Sequence, residues 1–162
     1  MSYERSRYKN EYEPKQNSRR GNSEFEDILK PLKEAPDLGS ISIEDIAKPD
    51  GIAEKVAKQL KSNRSELNPT QLRKYFDSII KIQEKISESG WESAKSGYYM
   101  LYPTLAYAKG RKTIPGDFYN FCTLCLDKIP SKTGDQASAE NFKKFVSVME
   151  SLVAYSKYYE KE

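Results

Sequence analysis

The chain of 162 residues contains no histidine. That absence removes the Ser-His and Cys-His nucleophile pairs and every imidazole metal ligand. Cysteine is almost absent too, with only Cys122 and Cys125, spaced as Cys-Thr-Leu-Cys. Such spacing belongs to a redox motif or to half of a zinc site. A structural zinc site takes four ligands, however, and the redox motif normally opens a helix after a strand. Here the pair sits inside an apolar run, which reads as two core thiols, with metal or redox use the lesser alternative. No apolar stretch approaches the ~20 residues of a membrane span, and no apolar core of a signal peptide follows the polar N-terminus. The expected compartment is the cytoplasm. A formal net charge of +3 permits contact with RNA without being that of a strongly basic, free-standing nucleic-acid binder. Strand-like alternation appears nowhere over a convincing length.

What is present is helical. Charged residues make up 31% of the chain, which favours a solvated helical surface, and the length suits one domain. Residues 1–23 read as a flexible basic arm through Arg5, Arg7, Lys9, Lys15, Arg19 and Arg20. It could add phosphate contacts or have no task. Residues 24–162 read as a single helical bundle domain. Pro31, Pro36, Gly39 and Pro49 allow only short turns of helix around 25–32 and 43–47. Beyond them Ile52, Ala53, Val56, Ala57 and Leu60 share a face, with Lys55, Lys58 and Lys61 turned largely away.

The clearest helix is predicted over 69–88. Leu72, Tyr75, Phe76, Ile79, Gln83 and Ile86 share one side, Lys74, Ser78, Lys81 and Lys85 lie opposite, and Arg73 flanks the apolar face. Ser89-Gly90 breaks the pattern. A helix over 91–110 follows, which Pro103 is expected to split in two. Asp117 is expected to cap a helix running to Ile129, and Ser138 to cap a last helix carrying Phe142, Phe145, Val146, Met149, Leu152, Val153 and Tyr159. The fold class is therefore all-α, a compact bundle of about five helices.

Two basic–aromatic motifs stand at helix ends. In Asn68-Pro-Thr-Gln-Leu-Arg-Lys-Tyr-Phe76, Asn68 suits an N-cap, Pro69 the first helical position, and Gln71 the residue that bonds back in a capping box. In Leu105-Ala-Tyr-Ala-Lys-Gly-Arg-Lys112, Gly110 is placed to end the helix among Lys109, Arg111 and Lys112. Cations for phosphates beside π-faces for bases are what a single-stranded nucleic acid needs. The candidate RNA-binding set is Lys58, Lys61, Arg64, Gln71, Arg73, Lys74, Lys109, Arg111 and Lys112. The bland reading of Lys81 and Lys85 is solvated surface. Cations at a helix C-terminus also complement the macrodipole, by ~0.3–1 kcal/mol each. Of Tyr98, Tyr99, Tyr102 and Tyr107, most are expected to pack in the core or at its rim, leaving one or two free for a base. Asp77, Glu84 and Glu88 lie among lysines, where ion pairing accounts for them better than two-metal catalysis. No catalytic residue, metal or cofactor is expected.

The run Thr70-Gln-Leu-Arg-Lys-Tyr-Phe76, followed by Pro103-Thr-Leu-Ala-Tyr-Ala-Lys-Gly-Arg111, resembles the small-subunit family of type III-A CRISPR effector complexes. Phe145-Val-Ser-Val-Met-Glu-Ser-Leu-Val-Ala-Tyr-Ser-Lys-Tyr-Tyr159 is similar to that family's last helix. The resemblance implies a non-enzymatic RNA-binding subunit, stacked in several copies along a filament and facing the backbone subunits that hold the guide RNA. It would hold guide and target RNA without reading sequence, because guide pairing supplies specificity. Its implied partners are guide RNA, target RNA, the backbone and large subunits, and copies of itself, with no membrane. Target cleavage would belong to the backbone subunit, and the other nuclease and cyclase activities to the large one. The rival readings are a helical protein–protein adaptor without RNA contact and, more weakly, a small metal-dependent nuclease.

Overall fold

The computed structural model describes residues 16–62 and 67–160, with side chains from Ser23 onward. Seven α-helices and one short 3-10 turn make up these residues, and none of them forms a strand. The helices are α1 (Gln16–Glu34), α2 (Ile43–Ala47), α3 (Ile52–Ser62), α4 (Pro69–Ser89), α5 (Trp91–Gly110), α6 (Gly116–Asp127) and α7 (Asp135–Glu160). The all-α expectation stands, with α1 as a sixth long helix where only a short turn was expected.

Pro31 misled that expectation. It lies inside α1 on the exposed side, so the one donor it removes faces water. Phe25, Leu29 and Leu32 on the other side are buried and hold the helix to the core. The Lys128 ammonium then caps the C-terminal carbonyls of α1, reaching Lys33 O at 3.1 Å and Ala35 O at 2.7 Å. The first turns of α1 run through residues assigned above to the arm, and residues 1–15 lie outside the described residues.

Helix α7 is the spine, packing against α2, α3, α4 and α5. Its Asn141 is buried, accepts the Gly39 N–H at 2.9 Å and donates to Ile129 O at 3.0 Å, so one amide satisfies two loops. Phe142, Phe145, Val148, Met149 and Leu152 carry the apolar face into the core. α7 starts at Asp135, three residues before its expected cap. Ser138 is instead buried in the first turn, where its hydroxyl accepts the Ser131 N–H at 2.9 Å. α6 likewise begins at Gly116, with Pro115 in the N-cap position and no side-chain cap bond, so Asp117 sits in the first turn rather than before it.

Gly90 separates α4 from α5 at φ 87°, a left-handed conformation that glycine adopts without steric cost. The two helices fold back on one another as an antiparallel hairpin, and Gly97 gives close room there to Ile82. Pro103 does not split α5. It is exposed, its missing donor would have met the carbonyl of the exposed Tyr99, and the helix runs on. Trp91, Tyr98 and Phe142 form an aromatic cluster, with Trp91–Tyr98 centroids 5.1 Å apart and Trp91–Phe142 centroids 6.4 Å apart. Burial pushes the Tyr98 hydroxyl up to about 12, and it donates to Leu126 O at 2.5 Å. Cys122 and Cys125 lie fully buried as free thiols, and burial raises the pKa of both, which keeps them protonated.

Candidate nucleic-acid interface

The start of α4 is built as its sequence suggests. Asn68 Oδ1 accepts from the backbone N–H of Thr70 at 2.8 Å and of Gln71 at 3.3 Å, and Pro69 fills the first position. The reciprocal bond expected from Gln71 does not form among the described residues. Its half-buried side chain lines a crevice between α4 and α5 instead.

The end of α5 differs from the glycine stop expected at Gly110. The left-handed residue is Lys112, at φ 61°, two positions later. Lys112 N–H bonds to Lys109 O at 3.0 Å, and Thr113 N–H reaches back to Ala108 O at 3.0 Å. These are the two bonds of a Schellman motif, with a lysine where glycine is usual. A side chain in that conformation costs roughly 1–2 kcal/mol. The turn places Lys109, Arg111 and Lys112 around the carbonyl end of the helix dipole.

The candidate residues divide between two flanks of α4. On one side Gln71, Lys74 and Ser78 face Thr104 and Ala108 of α5 across a crevice of about 190 Å³, floored by Tyr75, Leu105, Ile114 and Phe118. The antiparallel hairpin thus brings the start of α4 beside the basic turn after α5. On the other side a groove of about 600 Å³ runs between α3, α4 and the end of α7. Leu60, Leu72 and Val153 line it, with Lys61 and Arg73 at the rim. Arg73 and Lys74 are therefore neighbours in sequence and on different surfaces.

Charge pairing follows the same division. Arg73 Nε lies 3.6 Å from Asp77, and Lys58 Nζ lies 3.3 Å from Glu54. The Glu54 bond, and after it Tyr159, raises the pKa of Lys58, while Lys61 donates to the Tyr159 carbonyl. The opposite flank has cations set against rings instead of carboxylates. Lys109 Nζ is 4.5 Å from the Tyr119 centroid, and Arg111 Nη1 donates to the Tyr107 hydroxyl at 2.9 Å. Lys74 and Lys112 are exposed and have no ion-pair partner among the described residues. Arg64 lies outside the described residues.

The expectation that one or two of the α5 tyrosines stay open holds, with Tyr99 49% and Tyr107 65% exposed, whereas the exposed Met100 on the same face escaped the sequence reading. The signal that points to this face is the longest uncharged run in the chain, from Ser96 to Ala108. Among the described residues no three His, Cys, Asp or Glu side chains converge as a metal site would need, and no helix is long and apolar enough to cross a membrane.

A family model described as Csm2 type III-A matches residues 44–162, which takes in both basic motifs and all of α3 to α7. The chain belongs to the Csm2 type III-A family. Members are the small, structural subunit of the Csm complex, a type III-A CRISPR assembly, and that membership implies the other components and the guide RNA as partners. Comparison with curated proteins gave no match, and neither did comparison with solved structures. The family match leaves residues 1–43, and with them α1, outside its bounds.

Proposed function

We propose that this Csm2-family chain holds the guide–target RNA of its complex by the phosphate backbone, without sequence preference and without catalysis. Several copies stack along the filament, facing the backbone subunits. The observation that carries this reading is the open end of the α4–α5 hairpin, where Lys74 lies across the crevice from Ala108 and Lys109, Arg111 and Lys112 follow directly after it, none of the four paired to a carboxylate among the described residues. Cations not already neutralised by the protein are the ones that release counterions on meeting phosphate. Gln71 and the hydroxyls of Ser78 and Thr104 add neutral hydrogen-bonding groups to the same crevice. Arg73, Lys58 and Lys61 contribute less, since each is already engaged within the protein.

Binding of single-stranded RNA to the full chain tests this. Lys74→Ala, Arg111→Ala and Lys112→Ala should each weaken it with helical content intact, Arg73→Ala should do so less, and Lys85→Ala should do little. Affinity should also vary little among RNA sequences of one length at fixed salt. Equal behaviour of all five variants would favour the adaptor reading, in which the lysines are only solvated.

A further inference from the structure

We propose that the ring of Tyr107 is a stacking platform for an unpaired base of the bound strand, with Arg111 beside it for the adjoining phosphate. The proposal rests on the RNA reading above and adds to it a contact with a base, which backbone recognition does not require.

The starting point is an imbalance in α5. Its inner side is fully used: Trp91, Ala94, Tyr98, Leu101 and Leu105 are buried. Its outer side carries Tyr99, Met100, Pro103, Ala106 and Tyr107, all exposed, and no charge lies between Lys95 and Lys109. A chain that is 31% charged would ordinarily cover such a side with lysine and glutamate. Within this face Tyr107 is set apart by its neighbours. The cations lie at its end of the helix, on Lys109, Arg111 and Lys112, whereas none adjoins Met100 or Pro103. Arg111 meets Tyr107 at the hydroxyl edge, by the 2.9 Å bond from Nη1, with Cζ 5.6 Å from the ring centroid. The guanidinium thus lies over the ring as well as at its hydroxyl, and Tyr107 is still 65% exposed. The bond also holds the ring in one orientation, so little ordering remains when a base arrives. An oriented π-face flanked by cations is the arrangement that binds single strands whatever the base, because every base has a π-face. Lys112, five residues after Tyr107, keeps a left-handed backbone, local strain of the kind that functional turns retain.

The test compares Tyr107→Ala with Tyr107→Phe in the full chain at low salt. Two RNAs of equal length are used, one with its bases and one abasic. Both substitutions remove the hydroxyl that orients Arg111, but only alanine removes the ring. Stacking predicts that alanine binds the base-bearing RNA about 5- to 150-fold more weakly than phenylalanine does. On the abasic RNA the two should bind equally, with the same salt slope. Equal losses for both variants, persisting on the abasic strand, would overturn the proposal and leave Tyr107 as a support for Arg111. No loss for either variant would also overturn it, and would turn the outer face of α5 towards a protein partner. Neither of those results touches the RNA reading itself, which stands or falls on Lys74→Ala and Lys112→Ala. A photo-cross-link from 5-iodouridine RNA to Tyr107, lost with Tyr107→Ala, would support stacking directly.

Discussion

Helices α4 and α5 are of nearly equal length, 21 and 20 residues, and pack as one hairpin, yet their outer surfaces have little in common. α4 buries Leu72, Tyr75, Ile79 and Ile86 and covers its other side with Lys74, Asp77, Lys81, Glu84 and Lys85. Folding and solubility account for nearly every residue of it. α5 buries as much and then presents a second apolar surface to water. Burial explains one side of each helix, and ordinary solvation explains the other side of α4 but not of α5. What the fold does not need on α5 is what the complex is expected to use, and it ends in the basic turn just past Ala108, which Lys74 of α4 faces across the crevice.

That contrast breaks if the outer face of α5 turns out to support the fold. Tyr98→Ala removes a fully buried ring and the hydroxyl bonded to Leu126 O, and should cost about 3–5 kcal/mol of stability in denaturant unfolding. Met100→Lys, two residues on and 62% exposed, should stay within about 0.5 kcal/mol of the parent chain. A large loss from Met100→Lys would mean that the outer face is packed by this same chain. A smaller effect sharpens the account of the basic turn. Lys112 holds a left-handed backbone, so Lys112→Gly should raise stability by about 1 kcal/mol while weakening RNA binding. Thermal unfolding and RNA titration of the one variant read both signs. A gain in stability with unchanged binding would leave the turn as a helix cap alone.

Much of the fold was legible in residue spacing, and its failures have physical causes. The helical period placed α3 and α4, and Asn68 with Pro69 placed the start of α4, because those signals are local. Proline was over-read twice. Pro31 and Pro103 both sit where the lost hydrogen bond faces solvent, and which way a helix faces is decided by packing. The site was legible in part. Successive helical residues stand 100° apart, so Arg73 and Lys74 had to diverge, but only the fold decides that one meets the end of α7 and the other α5. The engagement of Lys58 and Lys61 with Tyr159 joins residues about a hundred positions apart in the chain, beyond any local pattern. Tyr107 was hidden among tyrosines that do pack, the buried Tyr98 and Tyr102, which is bonded to Asp127 at 2.6 Å.

The salt dependence of RNA binding tests the central claim most directly. In the full chain carrying Lys74→Gln, Arg111→Gln and Lys112→Gln together, the slope of log affinity against log salt should fall in magnitude by about 2, roughly 0.7 for each lost contact with a single strand. The triple change Lys81→Gln, Lys85→Gln and Lys95→Gln removes as much charge from exposed positions outside the crevice and should leave the slope nearly unchanged. If the two triple variants lose the same amount, the open end of the hairpin is ordinary charged surface, and the claim that it grips the RNA backbone is wrong.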